Sequence, residues 1–356
     1  MALPIVLERG KKMVNDENVI YIGDIVSSAN HAGNKARNDM ETIFSKLFGK
    51  PYLVLTSTNL KSLSYSLWYL IRNVKKLYFL LKHKEKIVLL QYPFQVHPFV
   101  SIFLLLVMKM NNVILFVHDI DEWRHKERKR TICAQGFFYN AKVIVVHNQK
   151  MLERVKGWDT QAKLINLEIF DYLRDSGEHQ IREFSHTVSF AGNLTKSMFL
   201  HTDLEPLFKQ LYLYGPGKDC IKLGDNVVYK GSFTPDEIPA KIEGSFGLIW
   251  DGESADTCSG NFGEYTKYNN PHKLSLYISS CLPVIVWSHA ASADFVKKYN
   301  IGFCVDSLHE IEGKLAAMTD EDYKLYLHNL SDLQQKIISG YFTKRAIVTA
   351  LENCKY

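Results

Sequence analysis

The sequence predicts an α/β protein built from two Rossmann-like, doubly wound domains that face a central cleft. Three observations carry that reading. Short apolar runs rich in branched residues alternate with helical stretches through the first half. A polar stretch, DYLRDSGEHQIREF (171–184), interrupts the alternation, and a second series then begins. The chain has 356 residues, more than one hydrophobic core usually organises.

Taken in order, the first series reads ENVIYIG (17–23), KPYLVLTS (50–57), EKIVLLQYP (85–93), NNVILFVHD (111–119) and AKVIVVHN (141–148). Helices are expected from about Asn34 and over roughly 61–83, 97–110 and 124–139. The second series reads SHTVSFAGN (185–193), LYLYGPG (211–217), NVVYKGS (226–232), FGLIWDG (246–252), PVIVWSH (283–289) and IGFCV (301–305), with Gly or Pro closing many of the runs. The expected division is an N-terminal α/β domain over 1–184, a C-terminal α/β domain over 185–337, and a helix over 338–356 that packs back on the first domain.

Composition narrows the function. Apolar residues make up 46% and charged residues 23%, an ordinary globular balance. A formal charge of +5 permits an anionic partner without naming one. The six cysteines form no CxxC pair and no metal-site spacing, so they read as buried or free thiols in a reducing compartment. The N-terminus lacks a basic region followed by an apolar core, and SIFLLLVMKM (101–110) is too short to span a bilayer; a cytoplasmic protein is expected. The first βα turn, GDIVSSANHAGNKARND (23–39), lacks G-x-G-x-x-G, and no phosphate-loop motif is present.

Within the second series, NNPHKLSLYISSCLPVIVW (269–287) sets Lys273 at the head of a short helix before a buried strand. Unpaired N–H groups and the positive end of a helix favour phosphate, and a lysine adds a mobile charge. The residues alone also allow a solvated lysine beside a cap. The turn after SFAGN brings Gly192, Asn193 and Lys196, whose backbone and amine suit an anion. Asp251 and Glu253 follow another strand end and suit sugar hydroxyls or a cap.

These stretches together resemble a family of bacterial GT-B glycosyltransferases, the one holding accessory glucosyltransferases of adhesin glycosylation and β-1,6-galactofuranosyltransferases. The resemblance runs through VILFVHDID (113–121), SFAGNLTKSMFL (189–200), LYLYGPG, FGLIWDG, NNPHKLSLYISSCLPVIVW, IGFCV and GYFTKRAI (340–347). It implies a GT-B fold and an inverting transfer of a hexose from a UDP-sugar to a saccharide hydroxyl, in the synthesis of surface polysaccharide or glycoconjugate. Galactofuranose is the first choice of sugar, glucose or galactose the next. It implies no cofactor and no metal. Lys273 and Lys196 match donor-phosphate positions, although the family tends to have Arg where Lys196 stands. The resemblance also gives Tyr214 a stacking role at the base or ribose and draws Asn270 and His272 into the donor set.

Transfer needs a base on the acceptor hydroxyl. His118 and Asp119 end the fourth strand; Asp119 is the chosen base, with His118 orienting it or binding sugar. Asp24, Asn30 and His31 compete for the role, and Asn30, His31 and Asn34 suit acceptor hydroxyls or the donor phosphate. Asp119-Ile120-Asp121 also matches the D-x-D of metal-dependent GT-A transferases, which stands as an alternative.

Residues 60–86 carry seven Lys or Arg and one Glu among large apolar residues, and WRHKERKR (123–130) adds a second basic cluster. Both suit an anionic leaflet on the inner face of the membrane and an acceptor on a lipid carrier; they equally suit sheet-covering helices with solvated charges. The sequence is compatible with a homo-oligomer. Nucleic acid is not expected, because a binder would need a stronger basic stripe with interspersed stacking aromatics. A non-catalytic carbohydrate or nucleotide binder is the remaining alternative.

Overall fold

The computed structural model describes residues 18–25, 32–56, 63–82, 85–94, 98–124, 132–158, 160–175, 182–202 and 204–354. Asn30 and His31 lie outside these residues, as does the Asp24 side chain.

The N-terminal half runs β1 (Val19–Ile25), α1 (Ala32–Phe48), β2 (Leu53–Thr56), α2 (Leu63–Lys82), β3 (Ile87–Tyr92), α3 (Pro98–Met110), β4 (Asn112–Val117), α4 (Asp121–Arg124), α5 (Ile132–Asn140), β5 (Val143–Val146), α6 (Gln149–Lys156) and β6 (Lys163–Asn166). Its strands form one parallel sheet in the order β2-β1-β3-β4-β5-β6. Alternate residues serve two cores. Leu89, Ile114, Phe116, Val143 and Val145 face one, and Val88, Leu90, Val113, Leu115 and Ile144 face the other. Helices therefore cover both faces, which is why these strands read as unbroken apolar runs.

Two local expectations need correction. Strand β6 was absent from the sequence reading: only Ile165 of its four residues is buried, so the edge strand lacks the apolar signature. The helix expected over 124–139 is two, α4 and α5, with 125–131 outside the described residues.

The second half runs β7 (Thr187–Ala191), β8 (Gln210–Tyr214), β9 (Val227–Gly231), α7 (Ile238–Lys241), β10 (Phe246–Ile249), α8 (Gly260–Tyr265), α9 (His272–Ser279), β11 (Val284–Trp287), α10 (Ala291–Tyr299), β12 (Gly302–Val305), α11 (Ile311–Ala316), α12 (Asp320–Ile338) and α13 (Tyr341–Cys354). Single 3-10 turns at Leu194–Lys196 and Met198–His201 follow β7. The parallel sheet has the order β12-β11-β10-β7-β8-β9. The winding thus reverses between β7 and β10, and a crevice opens beyond their carboxyl ends. Ligands of doubly wound sheets bind at such a reversal.

The two sheets share one continuous core. It passes from Phe44 and Phe116 through Phe170 and Tyr172, in the crossing segment, to Phe190, Leu248 and Tyr277. Helix α13 packs against α1, β5, β6 and α12. Its N-terminus is capped by Asp171 of the crossing segment, whose carboxylate accepts from Phe342 N at 3.1 Å and Thr343 N at 2.7 Å.

Candidate active site

The C-terminal side of the crevice is set by α9. Tyr277 lies over the sheet: its hydroxyl accepts the Ala191 N–H at 3.0 Å and donates to the Leu248 carbonyl at 3.1 Å. This ties the helix to the ends of β7 and β10. One turn earlier, Lys273 consequently stands over the winding reversal. Its Nζ pairs with the Asp251 carboxylate and lies 4.9 Å from the Phe190 ring centroid. A Cβ on Gly192 would stand 3.0 Å from Lys273 Cε, so a larger residue there would push the lysine aside. Gly215 is constrained as well: with φ +125°, its Cβ would fall 1.9 Å from the Gly192 carbonyl oxygen.

The opposite end of α9 is neutralised. Arg182 donates to the carbonyls of Ser280, Gly244 and Ile242, Arg174 donates to that of Ser279 at 3.2 Å, and Gln334 Nε2 donates to the same oxygen at 2.8 Å. With its carbonyl end satisfied by cations, the helix presents its positive end, with Lys273, to the crevice.

Lys196 follows Gly192 in the 3-10 turn. Its side chain is exposed and its amine makes no hydrogen bond or ion pair with the described residues. Asn193 caps that turn by accepting the Lys196 N–H at 3.2 Å. Lys273, Gly192, Asn193, Lys196 and Asp251 therefore share one corner of the crevice.

Three other donor assignments are corrected. The Tyr214 ring is buried, and its hydroxyl accepts the Glu243 N–H at 2.9 Å, so it stands as a core tyrosine rather than an open stacking surface. Asn270 is an interdomain pin. Its Nδ2 donates to the carbonyls of His147 and Glu168, its Oδ1 accepts from Asn148, and its N–H donates to His147 Nδ1. Its side-chain amide is thereby engaged across the seam between the halves. The His272 ring stacks on Tyr172 at 5.0 Å, and its nitrogens are buried. That side chain fills the seam between the halves. Asn270 and His272 sit beside Lys273 in sequence, but the turn and the first helical position point them away from it.

On the facing side, β4 ends at His118 and Asp119. Asp119 Oδ1 accepts from the Tyr265 hydroxyl at 3.2 Å, and Oδ2 pairs with Arg124 at 3.2 Å. The same Tyr265 hydroxyl accepts the Ile120 N–H at 3.0 Å. Tyr265 belongs to α8 of the C-terminal half, so that half itself fixes the carboxylate. Burial raises the Asp119 pKa, and Arg124 and the Tyr265 hydrogen bond counter the rise. A carboxylate so shifted is a stronger base than one in water.

His118 does not orient Asp119, which corrects the sequence reading. Its Nε2 lies 2.7 Å from Gln91 Oε1. Gln91 Nε2 donates to Glu41 at 3.2 Å, so its oxygen is free to accept and His118 carries its proton on Nε2. The ring stacks on Phe170 at 5.2 Å, and burial holds its pKa well below the usual value. It is a neutral ring in the cleft wall. Asn34 lies in the first turns of α1, half-buried; neighbouring Lys35 ties α1 to the C-terminal half through Asp236 at 2.8 Å and to the Leu173 carbonyl at 2.8 Å.

Three histidines thus line the seam around Phe170 and Tyr172. Burial lowers His147 and His272 to about 4, and His118 falls as well. Their folded values lie below the unfolded one, so their contribution to stability is complete above pH 6.5 and lost as pH falls toward 4. Asp39 and Asp171, raised by burial to about 6 and about 7, act in the opposite sense. A difference measurement isolates one ring. His272→Phe keeps an aromatic ring against Tyr172 and removes the titrating nitrogens. Between pH 7 and pH 5 its stability relative to the wild type should rise by about 2 kcal/mol in urea unfolding. A gap independent of pH would show that His272 titrates normally.

A second opening of about 740 Å³ lies between α6 and the turn after α8, lined by Lys150, Glu153, Arg154, Lys267, Tyr268 and His289. Neither Lys273 nor Asp119 is in its wall. The single-domain D-x-D alternative also fails: the chain folds as two doubly wound sheets, and Asp119 is held by Arg124 and Tyr265.

Comparison with known proteins agrees with the two-domain fold. Residues 19–169 match the model of the glucosyltransferase 3-like N-terminal domain, and 188–350 match that of the C-terminal domain. The chain is 33% identical over 349 residues to the beta-1,6-galactofuranosyltransferase WbbI of Escherichia coli K12, covering 94% of this chain and 99% of that protein. Glucosyltransferase 3 of Streptococcus gordonii is 25% identical over 242 residues, 67% of this chain and 70% of that one. Among solved structures, sucrose-phosphate synthase from Thermosynechococcus elongatus superimposes with a TM-score of 0.61 at 11% identity, covering 95% of this chain and 99% of its own. At that identity the likeness speaks for the GT-B fold alone.

Proposed function

Because this chain belongs to the glucosyltransferase 3-like family and is a glycosyltransferase, we propose that it moves a hexose from a UDP-sugar to a saccharide hydroxyl with inversion at the anomeric carbon. One observation supports this most directly. The Lys273 amine stands at the winding reversal of the donor half, and that half also reaches across, through Tyr265, to hold Asp119.

In this reading the diphosphate lies on the first turn of α9, within reach of Lys273 and Lys196. The acceptor oxygen attacks the anomeric carbon, and its proton passes to Asp119. The bond to the diphosphate breaks, and the electron pair leaves on a phosphate oxygen. Lys273 and the helix terminus stabilise the charge that builds there. Lys273 is already paired with Asp251, so an arriving diphosphate competes with that carboxylate, which then becomes free to accept from a sugar hydroxyl.

Galactofuranose is the preferred sugar, supported by the relative that spans nearly the whole chain. Glucose is second, supported by the streptococcal relatives. The reaction is assigned to the cytoplasm. A panel of UDP-galactofuranose, UDP-galactose and UDP-glucose, each with simple glycosides as acceptors, tests the reading. The expected product carries a β linkage, identified from its anomeric coupling by NMR. Absence of transfer from all three donors, together with no UDP binding by calorimetry, would overturn it.

A further inference from the structure

The outer helix layer of the N-terminal half has an unusual surface. Helices α2 and α3 pack side by side on one sheet face, and α5 packs against α3. Gly136 of α5 permits the close approach, since a Cβ there would meet Leu105 at 2.8 Å. Inward, Leu77, Leu80, Val100, Leu104, Val107 and Phe138 enter the core. Outward, α2 shows Ile71, Lys75, Tyr78, Phe79 and Lys82, which follow helical spacing on one stripe. On α3 the outward stripe is Ile102, Leu106 and Lys109, and on α5 it includes Tyr139.

Among the described residues eleven large apolar side chains are exposed, and six of them are on these three helices. They are also large exposures: Tyr139 keeps 63% of its surface, Tyr78 54% and Phe79 51%. Isolated exposed apolar residues need no explanation; a cluster across adjacent helices does. The charge is equally one-sided. Not one Asp or Glu occurs within α2, α3 or α5, whereas Arg72, Lys75, Lys76, Lys82 and Lys109 do. Glu85, just past α2, lies between Lys84 and Lys86 in sequence.

We propose that the α2–α3–α5 face docks on an anionic phospholipid bilayer. Tyr78, Phe79, Ile71, Ile102 and Leu106 enter the headgroup region, and Lys75, Lys82 and Lys109 meet lipid phosphates. Lys82 already extends across the Tyr78 ring, with Nζ 5.1 Å from its centroid, the posture of a lysine whose stem covers an apolar surface while its charge reaches outward. A second copy of this chain fits the face poorly. Two-fold pairing would set Lys75, Lys82 and Lys109 against their own kind, with no carboxylate on these helices to pair them. Helices α2 and α3 both follow strands whose carboxyl ends face the cleft, so their first turns lie at its rim. A sugar on a membrane-anchored carrier would be delivered to the acceptor side.

The test is flotation of the full-length protein with vesicles of pure phosphatidylcholine and of phosphatidylcholine with 30 mol% phosphatidylglycerol. The wild type should partition at least about tenfold better onto the anionic vesicles at low salt, and less as salt screens the lysines. Lys75→Glu/Lys82→Glu/Lys109→Glu should lose that preference while keeping its rate with a soluble acceptor. Tyr78→Ser/Ile102→Ser should weaken binding to both lipid mixtures. Equal partition of the wild type onto the two vesicles would overturn the proposal. So would undiminished binding by the triple variant. So would a wild-type dimer in light scattering that the triple variant dissociates without any vesicle binding, because the face would then be a contact between copies.

Discussion

Lys273→Ala should lower kcat/KM for sugar transfer by about 10²–10³-fold, the usual cost of removing one group aimed at charge that develops in the transition state. The substitution removes the amine at the winding reversal of the C-terminal sheet and leaves the Asp251 carboxylate without its partner. An incoming diphosphate would then meet an unpaired negative charge, so UDP affinity should fall together with turnover. The fold should survive: the helix is held by Tyr277 and by Arg174, Arg182 and Gln334 at its far end. Lys273→Arg should recover part of the affinity, since it keeps the charge but changes its reach. Calorimetric titration with UDP and initial rates decide the matter. A variant with wild-type rate and wild-type affinity would remove the amine from the mechanism.

Asp119→Asn should leave UDP affinity within about twofold of the wild type and reduce kcat by about 10²–10⁴-fold, the range for a lost general base. The amide keeps the shape and the contact to Tyr265 but cannot take a proton. Tyr265→Phe provides the matching test of position. Its hydroxyl stabilises the ionised Asp119, so losing it raises the carboxylate pKa further. The base works only when ionised, and the acid limb of the pH–rate profile should therefore move to higher pH. Normal turnover of Asp119→Asn would pass the role to another cleft residue. An unmoved acid limb in Tyr265→Phe, with Asp119→Asn inactive, would leave the base in place and deny the positioning.

Legibility in the sequence followed burial. Strands covered on both faces, such as β3 and β5, are unbroken apolar runs and could be read directly. The half-exposed edge strand β6 could not. The short helix α6 went unread as well; it has eight residues with two of them buried, although Asn148 caps it. The place of Lys273 at the head of α9 was legible because it is set locally, by a turn, a helix start and a following strand. Tyr214, Asn270 and His272 misled for the same reason. They share the motif stretches, but their directions are set by neighbours far away in sequence, including Glu243, His147 and Tyr172. Tyr265 carried no signal, because its partners Asp119 and Ile120 are about 145 residues distant.

The order of residues alone determined two parallel sheets, the family, and a lysine at the head of a helix beside a buried strand. Those features depend on period, local caps and apolar runs, all of which operate within a few turns of chain. Tertiary structure alone decided which groups share the cleft. The Tyr265 hydroxyl reaches Asp119, the seam histidines become neutral, and Arg182 crosses from the linker to close the far end of α9. Each of these is a contact between segments brought together only when the two halves pack, and its energy comes from shared burial that no stretch of sequence contains by itself.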